Sequence, residues 1–308
     1  MMRVIYVISI ILFLFSCKKD AEIINDNDAP YYSEIPTLLL ENYVNRIYID
    51  LIGREPLDQE MVADVQYLRD ANVSFGSRDT LLSRLQFDTT YIEGDSSYKL
   101  AYFHRTYEMM KVRFLEGSSN AYISQDLNNY YHDYEIDSIN GNMLDAYKRL
   151  LNYNKLNNVI KSEREYYNGE IEITEMSRRM IYNSVYDKIN MNTFNYINAA
   201  FDNLLFRYPT GHMDPYPDSE FDNTRLMIDD NIAQVVLGSS GNNQEDFTYI
   251  IANCRESYQG FVIWLYNNLL ARNPTPKEID FLMHTFYNNH DFQWLQREIM
   301  KTDEYAHF

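Results

Sequence analysis

The chain has 308 residues and a formal net charge of −18, because 45 acidic residues outnumber 27 basic ones. This charge argues against a nucleic-acid ligand, whose phosphates would be repelled, and against an electrostatic attraction to anionic lipid. The apolar fraction of 45% is sufficient for a buried core, and only 10 glycines and 8 prolines interrupt the chain. So few turn-forming residues favour long helices over an architecture of many β-turns.

The first 16 residues predict a signal peptide. Arg3 supplies a positive charge before an apolar run over residues 4–15, which is shorter than the roughly 20 residues of a permanent membrane-spanning helix. The run ends in Leu-Phe-Ser directly before Cys17, and this resembles the lipobox of bacterial lipoproteins. The resemblance implies that the signal is removed and that Cys17 is acylated and holds the chain on a membrane. The alternative is an ordinary secretory signal with an incidental cysteine.

Residues 17–36 are predicted to form the lipidated cysteine and a flexible tether, since residues 22–36 are rich in Asn, Asp and Pro. Residues 18–22 form a basic-then-acidic tract in which Ala21 interrupts the acidic pair. This tract resembles the surface-export signal of Bacteroidetes-type lipoproteins. The resemblance implies an outer-membrane location, with the chain facing the cell surface rather than the periplasm.

Three segments of the chain align without gaps, at residues 43–57, 196–210 and 261–275. Each begins with an aromatic and a branched apolar residue and carries a second aromatic residue, an apolar pair, an arginine and, two residues later, a proline. Apolar residues at i, i+4 and i+8 predict an amphipathic helix in each copy. The arginines and prolines are Arg54 and Pro56, Arg207 and Pro209, and Arg272 and Pro274.

The proline predicts the helix end, because the residue before a proline avoids the α region. The arginine would then lie at the carbonyl end of the helix, where a cation is favoured. In copy three, Thr275, Pro276 and Glu278 predict the N-cap, first helical position and capping box of a second helix. Copy one keeps Glu60 at the matching position, whereas copy two has Met213 there. Each copy is thus predicted to be a helix, a tight Arg-x-Pro turn and another helix.

This repeat resembles a helical module of unknown function in secreted planctomycete proteins and a linker-like "LYxxLLxRxPT" module of bacterial surface proteins. The second module ends in SxEY, which residues 301–305 resemble in copy three and residues 87–91 resemble in degraded form in copy one. The resemblance implies architecture and carries no catalytic residues. We therefore expect an all-α fold of helical repeats in one or two packed domains, divided into residues 37–165 and residues 166–308.

No catalytic, haem-attachment or metal-binding motif is found among the six histidines and two cysteines. Cys254 is left unpaired if Cys17 carries lipid, and we interpret it as a small buried apolar residue rather than a catalytic thiol. The sequence therefore predicts a non-enzymatic protein without a cofactor.

One acidic segment offers an exception, a calcium loop. Its carboxylates stand at positions 1, 3, 5 and 12, as in calcium-binding loops, although the glycine and the long terminal glutamate are missing. The competing interpretation is a polar loop that caps the next helix. The four candidate ligands are Asp218, Glu220, Asp222 and Asp229.

These features predict a membrane-anchored lipoprotein that acts as an accessory or scaffold subunit of an outer-membrane or cell-surface protein complex. The alternative is a glycan-binding lipoprotein of a polysaccharide-uptake system, in which exposed tyrosines and Trp264 or Trp294 stack on sugars. Both tryptophans belong to the third repeat, so the alternative interpretation is that they are buried in the core. A hydrolase is a third hypothesis, and it requires a pocket with two carboxylates of raised pKa.

Overall fold

A computed structural model describes residues 35–308, so the predicted signal peptide, Cys17 and nearly all of the predicted tether lie outside the described residues. The described residues contain fifteen helices and one two-stranded hairpin, which confirms the predicted all-α fold. In chain order these are α1 (Thr37–Ile52), α2 (Asp58–Asp70), α3 (Phe75–Phe87), α4 (Tyr98–Leu115), α5 (Asn120–Ile139), α6 (Met143–Tyr167), α7 (Ile173–Ile181), α8 (Ser184–Asn190), α9 (Thr193–Leu205), α10 (Glu220–Asp230), β1 (Gln234–Val236), β2 (Ser239–Gly241), α11 (Gln244–Asn253), α12 (Arg255–Leu270), α13 (Pro276–Asn289), α14 (Phe292–Met300) and α15 (Asp303–Ala306).

The repeat helices α1, α9 and α12 bury the faces that their periodicity predicts. In α1 the buried side chains recur every three or four residues, as an amphipathic helix requires. Serine, threonine, asparagine or aspartate begins most of the other helices, and its side chain accepts a backbone N–H of the first turn. The predicted cap of α13 is confirmed, with Thr275 as N-cap, proline in the first turn and Glu278 in a capping box.

The antiparallel pair β1 and β2 was not predicted from the sequence. Leu237 and Gly238 join the strands, and both have positive φ angles of 52° and 81°. Two such residues in a two-residue loop match the twist of a hairpin. The pair is short and packs on α10 and α11, so it does not change the helical character of the fold.

Residues 37–308 form one compact unit, rather than domains over residues 37–165 and 166–308. The predicted boundary falls inside α6, which continues to Tyr167 and ends in a tight turn at Gly169. Helices from the two sides pack on each other, since α3 contacts α14 and α4 contacts α7. Asn168 and Gly169 form a turn between packed helices rather than a link between domains.

The last residues described pack on α1, the first helix of the described residues. Arg46 of α1 donates Nη1 to the carbonyl oxygen of Tyr305 at 2.7 Å, and the hydroxyl of Tyr305 donates to Asp50 at 2.7 Å. The rings of Tyr43 and Phe308 lie 5.5 Å apart between centroids. The last described residues therefore cover one part of α1, while α2, α3 and α4 pack on the rest of its buried surface.

The repeat helices α9 and α12 cross at very short distance, at Gly260. A Cβ atom at this position would lie 1.8 Å from the carbonyl oxygen of Leu204. Glycine is therefore required here for close packing of two backbones, although its φ is ordinary.

Helices α5 and α6 form a long antiparallel hairpin that packs on the other helices only near its base. In α5 the buried residues are Ile123 and Leu127, both in its first half. The hydrogen bonds and ion pairs of residues 131–150 link only the two arms, within the part of the chain that the structure describes. We call residues 136–147 the hairpin tip.

Candidate functional site

The three arginines of the repeat bind equivalent partners. Each guanidinium donates to both oxygens of one glutamate at 2.6–3.0 Å, and its Nε donates to a second carboxylate at 2.5–2.6 Å. Each also lies 5.0–5.5 Å from the centroid of the aromatic ring six residues earlier. We call these clusters arginine corners. They are Arg54 with Glu60, Asp95 and Tyr48; Arg207 with Glu220, Glu256 and Phe201; and Arg272 with Glu278, Glu304 and Tyr266.

The paired glutamate of each corner also accepts the backbone N–H of the residue after the proline, at 2.6–2.9 Å. The hydrogen bonds from Arg272 lower the pKa of Glu278 to about 2. Burial alone would raise the pKa of Glu60 and Glu220, but hydrogen bonds from their arginines outweigh it and hold each pKa below its ordinary value. The corner glutamates are therefore ionised at neutral pH and fully engaged, which suits a structural joint rather than acid–base catalysis.

The repeat helices end earlier than the prolines predict. The residue after each helix is in the left-handed region, at Gly53, Phe206 and Ala271, with φ of 79°, 55° and 53°. The arginines follow one residue later and donate to carboxylates and to the next residue's carbonyl oxygen, not to the terminal carbonyls of their own helices. The predicted helix ends were therefore wrong, whereas each arginine lies two residues beyond the carbonyl end of its helix. Pro56, Pro209 and Pro274 lie in the non-helical segments between the helices.

Copy two contains seven extra residues within its corner. Glu220 stands 11 positions after Pro209, whereas in the other two copies the glutamate stands four positions after the proline. Thr210 and Glu220 nevertheless form reciprocal bonds: Glu220 donates its N–H to the threonine hydroxyl at 3.0 Å and accepts the Thr210 N–H at 2.9 Å. The assignment of Met213 to the glutamate position was wrong, because an alignment without gaps cannot find a partner beyond an insertion.

The second carboxylate of each corner comes from elsewhere in the chain. Glu304 lies within the predicted ending at residues 301–305, but Asp95 replaces the predicted ending at residues 87–91. Glu256 was missed entirely. Its sequence signal is a glutamate two residues after a helix N-cap, the position that Glu304 also occupies.

The carboxylates of the predicted calcium loop do not converge on one point. Helix α10 begins at Glu220, so Asp222 and Asp229 are helical, and Asp218 lies just before the serine that caps the helix. Among residues 35–308, no group of three or more His, Cys, Asp or Glu side chains is arranged to hold a metal ion. The geometry matches the alternative of a polar loop and helix cap. The observed partners are Arg207 for Glu220, Arg225 for Asp222 and Thr193 for Asp229.

A cavity of about 400 Å³ lies between α1, α4, α12 and α14. Its lining is mainly apolar, and half-buried Trp264 forms part of it. The cavity has one carboxylate, Asp50, whose pKa is raised by burial, rather than the two that the hydrolase hypothesis requires. The polar side chains in the lining are Asp50, Arg105, Arg113, Asn268 and Gln296.

The remaining predicted residues are separate from one another. Trp264 has Phe292 stacked at 6.2 Å and the guanidinium of Arg113 at 4.8 Å from its ring, whereas Trp294 is half-buried outside the cavity lining. Burial raises the pKa of Cys254 to about 11, so its thiol is protonated at neutral pH. Cys17 lies outside the described residues.

No protein-family model, curated protein or solved structure matches this chain. Within the described residues, none of the helices combines the length and apolar character that a bilayer-spanning segment needs.

Proposed function

We propose that the chain is a non-enzymatic lipoprotein, anchored to the outer membrane through acylated Cys17 and facing the cell surface. In this role it is an accessory or scaffold subunit of a membrane-associated protein complex. The observation that carries the proposal is the apolar hairpin tip, which is available for contact with a partner.

The hairpin tip exposes large apolar side chains close together in sequence. Ile139 is 84% exposed, Leu144 68%, Met143 65% and Tyr147 64%. Isolated apolar residues are normal on a protein surface, but a cluster with a polar rim is typical of a protein interaction site. Helices of 20 and 25 residues place this cluster at the end of arms roughly 30–37 Å long.

The charges around the tip favour a protein partner over a lipid surface. Residues 130–152 contain four acidic and two basic side chains. Both bases lie near acids: Arg149 is 3.7 Å from Asp133, and Lys148 is 3.7 Å from Asp145. A net negative rim is repelled by anionic lipid. We therefore expect a partner with an apolar groove bordered by basic residues.

Cross-linking in intact cells tests this proposal when the chain is expressed at its native level. The variant Ile139→Ser with Leu144→Ser removes apolar surface from the tip without altering a buried residue. We expect one cross-linked species of defined mass with the wild-type chain, at least tenfold depleted in the tip variant. The species is then identified by mass spectrometry of the purified adduct.

The matched control replaces exposed apolar residues elsewhere, Val62→Ser with Met213→Ser, at side chains 71% and 82% exposed. Its cross-linking should equal that of the wild type. Equal loss in both variants, or an adduct that persists in the tip variant, contradicts docking through the tip. Recovery of the wild-type chain alone contradicts a role within a complex.

Glycan binding is a second candidate function, favoured by Trp264 beside Asn268 and Gln296 in one cavity. Such a combination of an aromatic ring and planar polar groups can fix the orientation of a bound ligand. The Trp264 ring already has Phe292 stacked on it and the guanidinium of Arg113 over it, however, which limits the ring surface that a sugar could stack on. Retardation of the chain in gels containing polysaccharide, lost on Trp264→Leu but not on Trp294→Leu, would favour this candidate.

A further inference from the structure

Two arginines that lack a carboxylate partner line the same cavity. Arg105 and Arg113 are eight residues apart on α4, roughly 12 Å along its axis. Neither forms an ion pair with a carboxylate of residues 35–308. Arg113 donates only to a backbone carbonyl, that of Asn203, from Nε at 3.1 Å and from Nη2 at 2.5 Å. In a chain with far more acids than bases, two such cations at one cavity call for an explanation.

Both side chains also retain unused hydrogen-bond donors. Nη1 of Arg113 and Nε of Arg105 are buried and have no acceptor within the described residues. A buried donor without a partner is costly, because it has given up its hydrogen bonds to water without replacing them. Burial lowers the pKa of Arg113 to about 9, and its guanidinium is surrounded by four aromatic rings at 4.8–5.5 Å but by no carboxylate of the described residues. An anion that enters the cavity would supply both the charge and the acceptors.

The acid in the lining is only partly engaged by this pair. Asp50 accepts the hydroxyl of Tyr305 at 2.7 Å and lies 3.8 Å from Nε of Arg46, and neither of these partners lines the cavity. The charge of Arg105 also lowers the pKa of Asp50, but the two side chains form no ion pair. The rest of the lining is largely apolar, with Met109 between the two arginines on α4 and leucines of α1 and α12 opposite.

We infer that this cavity binds a small organic carboxylate with an apolar body. The carboxylate meets Arg113 and Arg105, and the body lies against the leucine and methionine side chains. A volume of about 400 Å³ falls within the usual range of small-molecule pockets. Because Nη1 of Arg113 is covered in this structure, binding requires its guanidinium to shift towards the cavity. The inference is independent of the partner proposed for the hairpin tip.

Tryptophan fluorescence provides a site-specific test, because the chain has only two tryptophans. The mature chain carrying Cys17→Ala avoids detergent, and Trp294→Phe leaves Trp264 as the only reporter. Octanoate is the probe, octanamide its uncharged match, and glucuronate a carboxylate with a sugar body. We expect octanoate to change the Trp264 emission in a saturable manner, with at least tenfold weaker binding in Arg113→Met. Arg225→Met, on the surface of α10 and outside the cavity, should bind as the wild type does.

Each outcome tests a different part of the proposed site: the arginines, the apolar contacts or the site itself. Equal binding of octanamide, or unchanged affinity in both Arg113→Met and Arg105→Met, would overturn the role of the arginines. If glucuronate changes the Trp264 emission and octanoate does not, the ligand does not need an apolar body, and the glycan candidate is favoured. No response to any probe at roughly millimolar concentration would overturn the site itself. Melting curves of each variant confirm that a loss of binding is not a loss of fold, and Arg105→Met serves if Arg113→Met fails to fold.

Discussion

The carboxylate of Glu278 connects the stability of the fold to pH. Its folded pKa is about 2, against an ordinary value of 4.5, because Arg272 and the N–H of Thr275 stabilise its charged form. A lowered pKa means that this contribution is complete above about pH 4.5 and is lost as the pH falls towards 2. The pKa values of Glu60, Glu220 and Glu304 are also lowered in their corners, so their contributions to stability are likewise lost at low pH.

We predict that Glu278→Gln lowers the free energy of unfolding at pH 7 by about 1 kcal/mol, the usual cost of a lost cap. The difference from the wild type should shrink at pH 3, where the carboxylate is already largely protonated in the unfolded chain and the advantage of its charged folded form declines. Urea denaturation at the two pH values measures both quantities. Glu55→Gln, at an exposed glutamate one residue after Arg54, is the control and should change neither. A pH-independent loss would show that charge is not the cause.

The close crossing of α9 and α12 predicts that a single methyl group added at Gly260 disturbs the packing of two whole helices. Gly260→Ala would place a Cβ 1.8 Å from a rigid carbonyl oxygen, so the helices must separate. We expect a loss of about 2–3 kcal/mol or more, as for an overpacked core, measured by denaturant unfolding. Gly76→Ala in α3 is the matched control, since its nearest neighbour would lie at 4.0 Å. It should be neutral or stabilising by up to about 1 kcal/mol, because alanine favours a helix. A similar loss in both variants would contradict the crossing.

The helices were predictable because their apolar spacing is local, but their ends were not. Phe206 and Ala271 adopt a left-handed conformation that a rule based on glycine and proline does not anticipate. The arginines Arg54, Arg207 and Arg272 were identified as a repeated feature, yet their partners depend on distances in space. Glu60 and Glu278 lie close in sequence and were found. Glu220 lies beyond an insertion, Glu256 on another helix and Asp95 in a turn between helices, so only the packed structure reveals them.

At the scale of the whole molecule, the anchor determines where every other feature acts. We predict that Cys17→Ala abolishes labelling of the chain by a clickable palmitate analogue and moves the chain from the membrane to the soluble fraction. Cys254→Ala should leave both the labelling and the fractionation unchanged, since its thiol is largely buried and protonated. Membrane retention of Cys17→Ala, or a mature N-terminus without acyl groups by mass spectrometry, would contradict the lipoprotein proposal.

The contact between the two ends of the described chain has a consequence for its biogenesis. A polypeptide that is translocated from its N-terminus, as proposed, delivers α1 to the far side of the membrane long before Tyr305 and Phe308 follow. Arg46 and its partner Tyr305 are 259 positions apart, so this contact closes only after residue 305 has crossed the membrane. Until then the part of α1 that faces α15 stays uncovered, whereas its contacts with α2, α3 and α4 can already form. Helix α15 thus completes the packing around α1 at a late stage of translocation.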